Sequence, residues 1–272
     1  MTAPALITSL QNPCVKQVVA LRDRRGRERS GKMRVEGFEE LSLALASGAR
    51  PRDLFYCPAL FRAAEQQELV EQIRTAGGEL IEVNEPVFRK MAYREGPGGW
   101  LATFPTIERA LTDLDLSPRP FLVIAESIEK PGNLGAILRT ADAAGVHAVI
   151  ASAPLTDWGN PNVVRSSKGA VFSVPVAEAS NAETLAWMRH HGIQIVAATP
   201  QATLRHDQAG LAGPLAIAVG SEKYGLSEAW LKAADVAVRI PMFGRVNSLN
   251  VATAAAVLIY EAVRQRTGSS RD

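Results

Sequence analysis

The stretch FLVIAESIEKPGNLGAILRTADAAGVHAVIAS, Phe121–Ser152, holds a strand, a helix and a second strand, and it sets the reading of the chain. Its ends, FLVIA from Phe121 and HAVIAS from His147, are short continuous apolar runs, as in strands buried on both faces. Between them Leu134, Ile137, Leu138 and Ala141 recur at spacings of three and four, which predicts a helix buried along one side. Asn133 stands where an N-cap is expected, and Gly145 where the helix should close.

The alternation continues downstream. Buried runs recur as IQIVAA from Ile193, LAIAVG from Leu215 and VAVRI from Val236, with helical patterns between them. The helix after Ser180 has a capping box, with Ser180 at the N-cap and Glu183 three residues on. Such alternation predicts an α/β domain with a mostly parallel sheet covered on both faces. The last helix lies in IPMFGRVNSLNVATAAAVLIYEAVRQR, Ile240–Arg266, with Val251, Ala254, Ala255, Leu258, Ile259 and Ala262 on its apolar side. Its approach is less ordinary. A Pro, a Gly and the polar run Asn247–Asn250 stand where a strand would hand over directly to a helix.

Upstream lies a second α/β segment. Phe38, Leu41 and Leu45 mark a helix ended by Gly48. RDLFYC and GELIEV read as strands around a helix near Phe61–Ala76, and REGPGGWLATF as a glycine-rich turn into another strand. The polar PTIERALTDLDLSPRP reads as a linker. The expected organisation is a first domain over 1–105, a linker over 106–118, a second domain over 119–267 and a tail over 268–272. Residues 1–34 hold eight Lys or Arg against Asp23 and Glu28, a charge of about +6. So dense a basic segment favours a polyanion, because each neutralised phosphate releases condensed counterions. A solvated N-terminal helix accounts for the charge equally well.

Several classes are disfavoured. No apolar run in the 272 residues approaches the roughly 20 needed to span a membrane. The start, MTAPALITSLQNPCVKQ, does not resemble a signal peptide, and a cytoplasmic location is expected. Cys14 and Cys57 suggest no disulfide framework, and His147, His190, His191 and His206 lack zinc-site spacing, so no metal is expected. GNLG is not a dinucleotide fingerprint, and no Walker phosphate loop exists.

Three polar or glycine-bearing stretches follow strand ends in the second domain. They are NLGAILRTA at Asn133–Ala141, GSEKYGLS at Gly220–Ser227 and the IPM and SLNV of Ile240–Val251. Singly they are weak: Arg139 would serve as a surface partner of Asp142, and Glu222 as surface decoration. In this order they resemble the three signature motifs of the SpoU (TrmH) class of SPOUT RNA methyltransferases. NPCVKQVVALRDRRGRERSGKMRVEGFEEL is similar to the substrate-binding domain that precedes this fold in ribosomal-RNA members. GGWLAT matches that domain's exit, and NVVRSSKGAVFSVPV, Asn162–Val176, the segment between the first two motifs.

The resemblance implies a small N-terminal α/β RNA-binding domain and a C-terminal SPOUT domain with a deep trefoil knot. It implies a homodimer formed through that domain, and methyl transfer from S-adenosylmethionine to a ribose 2′-hydroxyl. Gly220, Ile240 and Leu249 would meet the cofactor mainly through backbone, with Thr199 and Met242 nearby. Arg139 matches the family's catalytic arginine, as a base or as a phosphate clamp; an arginine keeps its charge in almost every setting. Asn133, Glu222, Ser248 and Asn250 would complete the catalytic network, with Glu222 holding Arg139 or its counterpart across the dimer. Arg24, Arg25, Arg27, Arg29 and Arg165 are the candidate RNA contacts. Glu129-Lys130 and Asn247 depart from the commonest pattern near the RNA face. The expected substrate is 23S ribosomal RNA. The alternatives are a tRNA 2′-O-methyltransferase and a catalytically silent RNA-binding assembly factor of the same fold.

Overall fold

A computed structural model of the chain describes residues 6–62, 65–96 and 98–268. Contacts within the chain define two units, Met1–Ile107 with Asp157–Ser173, and Glu108–Thr156 with Val174–Asp272. The first unit holds α1 (Pro13–Ala20), α2 (Arg24–Ser30), β1 (Lys32–Glu36), α3 (Phe38–Ala46) and β2 (Asp53–Tyr56). It continues with α4 (Glu65–Thr75), β3 (Glu79–Glu82), α5 (Glu85–Met91) and β4 (Trp100–Pro105). The second begins with β5 (Phe121–Glu126), α6 (Pro131–Ala143) and β6 (Ala148–Ser152). After α7 (Pro161–Ser166), which groups with the first unit, come β7 (Val176–Ala179), α8 (Asn181–His190), β8 (Gln194–Ala198) and β9 (Leu204–Arg205). The last elements are β10 (Leu215–Val219), α9 (Glu228–Ala233), β11 (Val236–Arg239) and α10 (Val251–Gly268). Of the tail expected over 268–272, Gly268 ends α10 and 269–272 lie outside the described residues.

In the first unit four strands run in the order β1-β4-β2-β3, antiparallel except for the β2–β3 pair. The segment 157–173, expected in the second domain, makes its contacts here. Arg27 grips Asp157 through two hydrogen bonds of 2.8 and 2.6 Å, and the Phe104 and Phe172 rings lie 5.3 Å apart.

The second unit carries seven strands in the order β7-β6-β5-β10-β8-β11-β9, and every pairing is parallel. Phe121–Glu126 and Leu215–Val219 are buried throughout, as strands covered on both faces must be. Leu111 of the expected linker joins this core, with Leu114 and Leu116 packed against it. In α6 the buried residues are Leu134, Gly135, Ile137, Leu138 and Ala141, the predicted side. The helix begins earlier than Asn133, at Pro131 after an N-cap at Lys130. Proline suits a first helical position because its missing N–H would have had no intrahelical partner. Asn133 is therefore a first-turn residue, and its side chain turns to partners outside the helix. The Ser180–Glu183 capping box is present, with the Ser180 N–H donating to Glu183 at 2.9 Å.

Candidate active site

Chain order in the second sheet reverses about β5: β6 and β7 lie to one side, and β10, β8, β11 and β9 to the other. Crevices beyond the carboxyl ends of parallel strands near such a reversal are the usual ligand sites of open α/β sheets. One is present. A cavity of about 640 Å³ opens where β8, β10 and β11 end, lined by Ala198–Gln201, Val219–Leu226 and residues of the 240–251 stretch. Thr199, Gly220, Ile240, Met242 and Leu249, all expected to hold cofactor, line it, as do Glu222, Ser248 and Asn250.

One wall is a tight hairpin. The Ser221 N–H donates to the Gly225 carbonyl at 3.1 Å, and the Gly225 N–H returns to Ser221 at 2.9 Å. The Tyr224 N–H adds a bond to Ser221 Oγ at 3.1 Å, and Gly225 closes the turn at φ 70°. Gly220 is required here by the hairpin itself. A Cβ on it would stand 2.1 Å from the Gly225 carbonyl carbon and 2.2 Å from the Leu226 nitrogen. The glycine thus admits the chain's own backbone, and the hairpin depends on it.

Glu222 ties this hairpin to the loop that enters α6. Its oxygens accept from the backbone N–H groups of Glu129 and Lys130 at 3.1 and 3.2 Å and from Asn133 Nδ2 at 2.6 Å. Burial pushes this carboxyl up, but the bonds from Asn133 and from backbone N–H groups outweigh it and hold it below the ordinary range. Asn133 Oδ1 accepts from Asn250 Nδ2 at 3.1 Å. Asn250 Oδ1 in turn accepts from the N–H groups of Ala252 at 3.0 Å and Thr253 at 3.4 Å, which caps α10. Glu222, Asn133 and Asn250 therefore form one chain of contacts joining three separate stretches.

Of the two partners expected for Glu222, Arg139 of its own chain is not one: the Glu222 oxygens accept from α6-entry donors. Arg139 is exposed and does not line the cavity. Six residues along α6 from Asn133, it sits about 9 Å further down the helix axis. The candidate RNA contacts also divide. Arg27 is 2% exposed and paired to Asp157, and it donates to the Leu21 and Arg22 carbonyls, each at 2.9 Å. It is a packing residue of the first unit and unavailable to phosphate. Arg24 pairs with Glu28 at 2.8 Å, whereas Arg25, Arg29 and Arg165 are exposed.

Sequence reasoning missed part of the cavity. Of Ala198–Gln201 only Thr199 was expected, although the polar run TPQ after a buried strand carried the signal. Val251, Ala254 and Leu258 of α10 also line it, so the helix's apolar side serves a ligand surface as well as the core. No group of three His, Cys, Asp or Glu able to hold a metal occurs among the described residues.

Apolar side chains and loop backbone converging at the ends of parallel strands define an α/β domain built to bind a small cofactor. Comparison with known proteins specifies which kind. Residues 120–260 match the model of the SpoU rRNA Methylase family, and residues 12–102 match the MRM3-like substrate binding domain. The chain is similar to a 23S rRNA (guanosine-2′-O-)-methyltransferase of Ralstonia nicotianae, 33% identical over 85% of this chain and 95% of that protein. It is 34% identical to a 23S rRNA (uridine(2479)-2′-O)-methyltransferase of Streptomyces viridochromogenes, over 90% of this chain and 87% of the relative. Its fold matches the AdoMet-bound rRNA methyltransferase of Sinorhizobium meliloti with a TM-score of 0.87 at 30% identity, covering 96% of this chain and 97% of that one. The chain belongs to the SpoU rRNA methylase family.

Proposed function

We infer that this protein transfers a methyl group from S-adenosylmethionine to a ribose 2′-hydroxyl of RNA, and that the RNA is 23S ribosomal RNA. The observation that carries the reading is the cavity at the strand ends, walled by the second and third motifs and tied by Asn133 to the first. The relatives' named substrates support the choice of RNA. Those two name different bases, guanosine and uridine, so the base is left open.

The residues fit the cofactor. A volume of about 640 Å³ is in the range of small-molecule sites, and Ile240, Met242 and Leu249 offer apolar sides with backbone donors and acceptors beside them. S-adenosylmethionine supplies an electrophilic sulfonium methyl group. The chain has to hold the ribose in place and ease loss of the hydroxyl proton. Arg139 is assigned to a phosphate next to the reacting ribose, which its planar fork binds through two parallel bonds. Because Arg139 lies off the cavity of its own chain, the reading places it at the site of a second copy, in a homodimer formed through this domain. Phe243, 95% exposed, and Val246, 65% exposed, are apolar groups that such a partner would cover. The deep trefoil knot belongs to the same reading, as does an RNA-binding role for the first unit through Arg25, Arg29 and Arg165.

Two experiments test this. Mapping 2′-O-methylation across ribosomal RNA and tRNA with and without the protein should show one position in 23S RNA gained; a gain in tRNA alone would reassign the substrate, and no gain would favour the silent assembly factor. Arg139→Lys keeps a positive charge and loses the fork, so single-turnover methyl transfer should slow at every pH. A rate that recovers as pH rises would instead mark position 139 as a base.

A further inference from the structure

Glu126, at the C-terminal end of β5, is 3% exposed and lies outside all three motifs. Neutral groups hold it. Its Oε1 accepts from Asn181 Nδ2 at 2.7 Å, and its Oε2 accepts from the backbone N–H of Ser227 at 2.8 Å. Asn181 is itself fixed, because its Oδ1 accepts from Trp230 Nε1 at 3.1 Å and from Ser152 Oγ at 2.6 Å. Ser152, Thr184 and Trp230 are fully buried around it.

The donor and acceptor types leave one solution. An indole N–H can only donate, and so can a backbone N–H. Trp230 therefore forces the Asn181 oxygen toward itself and the Asn181 amide nitrogen toward Glu126. The group at 126 meets a donor on each side and must accept at both oxygens. A carboxylate does this, and an amide of the same shape does not.

Ser227 immediately follows Leu226, which lines the cavity, and α9 begins directly after it. Glu126 thus holds the exit of the hairpin, while Glu222 reaches back from within the hairpin to the loop that follows Glu126. Each of the two loops sends one carboxylate to the backbone of the other, across about a hundred residues of sequence.

We propose that Glu126 is a positioning residue for the cofactor: its doubly accepting carboxylate, oriented by Asn181 and Trp230, sets the Gly220–Leu226 wall of the cavity. The proposal rests on the reading of that cavity as the S-adenosylmethionine site.

The test is calorimetric titration of S-adenosylmethionine into the full chain, with binding of 23S ribosomal RNA without cofactor measured alongside. Glu126→Gln should weaken cofactor binding about tenfold, since one buried donor loses its acceptor. RNA binding should stay within about twofold of the unmodified protein. Adding Trp230→Phe to Glu126→Gln removes the indole donor and lets Asn181 turn over. Its oxygen then accepts from the new amide at position 126, its nitrogen donates to Ser152 Oγ, and the Ser227 N–H keeps an acceptor. The double variant should therefore bind cofactor several-fold better than Glu126→Gln alone, a recovery that a merely structural role would not produce. Should Glu126→Gln fail to fold, Ser227→Pro removes the same bond from the other side, at a φ of −67° that proline adopts, and should give the same tenfold loss. Unchanged affinity in the folded single variant, or no recovery in the double, overturns the role of Glu126 alone. No binding by the unmodified protein removes the cofactor reading and this proposal together.

Discussion

The hairpin Ser221–Gly225 and the loop Pro241–Leu249 both line the cavity, but they are held in opposite ways. The hairpin is closed by its own backbone bonds and tied outward through Glu222 and Ser227. Across 241–249 no hydrogen bond is present among the described residues, and anchoring begins only at Asn250. Phe243 and Val246 stand in solvent there, the reverse of what apolar burial favours. One wall is held by hydrogen bonds of the chain itself. The other is not, and exposes two apolar side chains.

Matched glycine substitutions in the two walls should show the largest contrast. Gly220→Ala puts a Cβ within 2.2 Å of three backbone atoms that have nowhere to move. It should cost about 3 kcal/mol, lower Tm by about 6–12 °C and abolish S-adenosylmethionine binding. Gly244→Ala meets nothing within 4 Å and should stay within about 0.5 kcal/mol of the parent. Calorimetric melts of both decide it, and equal costs would break the contrast.

Next in size is the link between the walls. Asn133→Ala removes the donor to Glu222 and the acceptor for Asn250 together, leaving a half-buried carboxylate short of one partner. A loss of about 1–2 kcal/mol is expected, seen as about a tenfold weaker affinity for S-adenosylmethionine by titration. An unchanged affinity would mean that the walls are set independently.

Acid should act on the hydrogen-bonded wall first. Hydrogen bonds hold the Glu222 carboxyl below the ordinary range of about 4.3, so its ionised form is favoured by the fold. Its contribution is fully present above that ordinary value and is lost as pH falls through the lowered one. Cofactor affinity should therefore be flat from pH 7 to 5 and fall in more acid solution. In Glu222→Gln affinity should be weaker throughout, and the acid limb should disappear.

The smallest effect belongs to the open wall. Phe243→Ser should change thermal stability in dilute solution by less than about 0.5 kcal/mol, since the side chain is 95% exposed. Self-association measured by sedimentation should weaken. A large fall in Tm with no change in association would show that the ring is buried within its own chain.

Most of the architecture was legible because its signals are local and repeated. Apolar runs of five or six residues and spacings of three and four named five of the seven strands of the second sheet and the buried side of α6, whereas the short β7 and β9 carried no such run. The motif residues were legible through resemblance, and seven of those expected in the site line one cavity together with Thr199. The charge signal of residues 1–34 was the weakest guide. It could not tell Arg27, sealed against Asp157, from Arg25 and Arg29 on the surface, because composition carries no information about burial.

By itself the sequence determined the α/β class and the placing of most elements of the second sheet, while the three motif stretches were marked by resemblance. The strands and helices are written in residues near one another in the chain, where sterics and periodicity act directly. Tertiary structure alone decided why Gly220 must be glycine, that Arg139 stands off the cavity of its own chain, and that Glu126 hydrogen-bonds the Ser227 backbone beside the cavity. The Glu126 and Glu222 bonds join groups about ninety to a hundred residues apart, and even the Gly220 clash, with Gly225 and Leu226, exists only once the hairpin has closed. Hydrogen bonding and steric exclusion are set by distances in space, which no local pattern encodes.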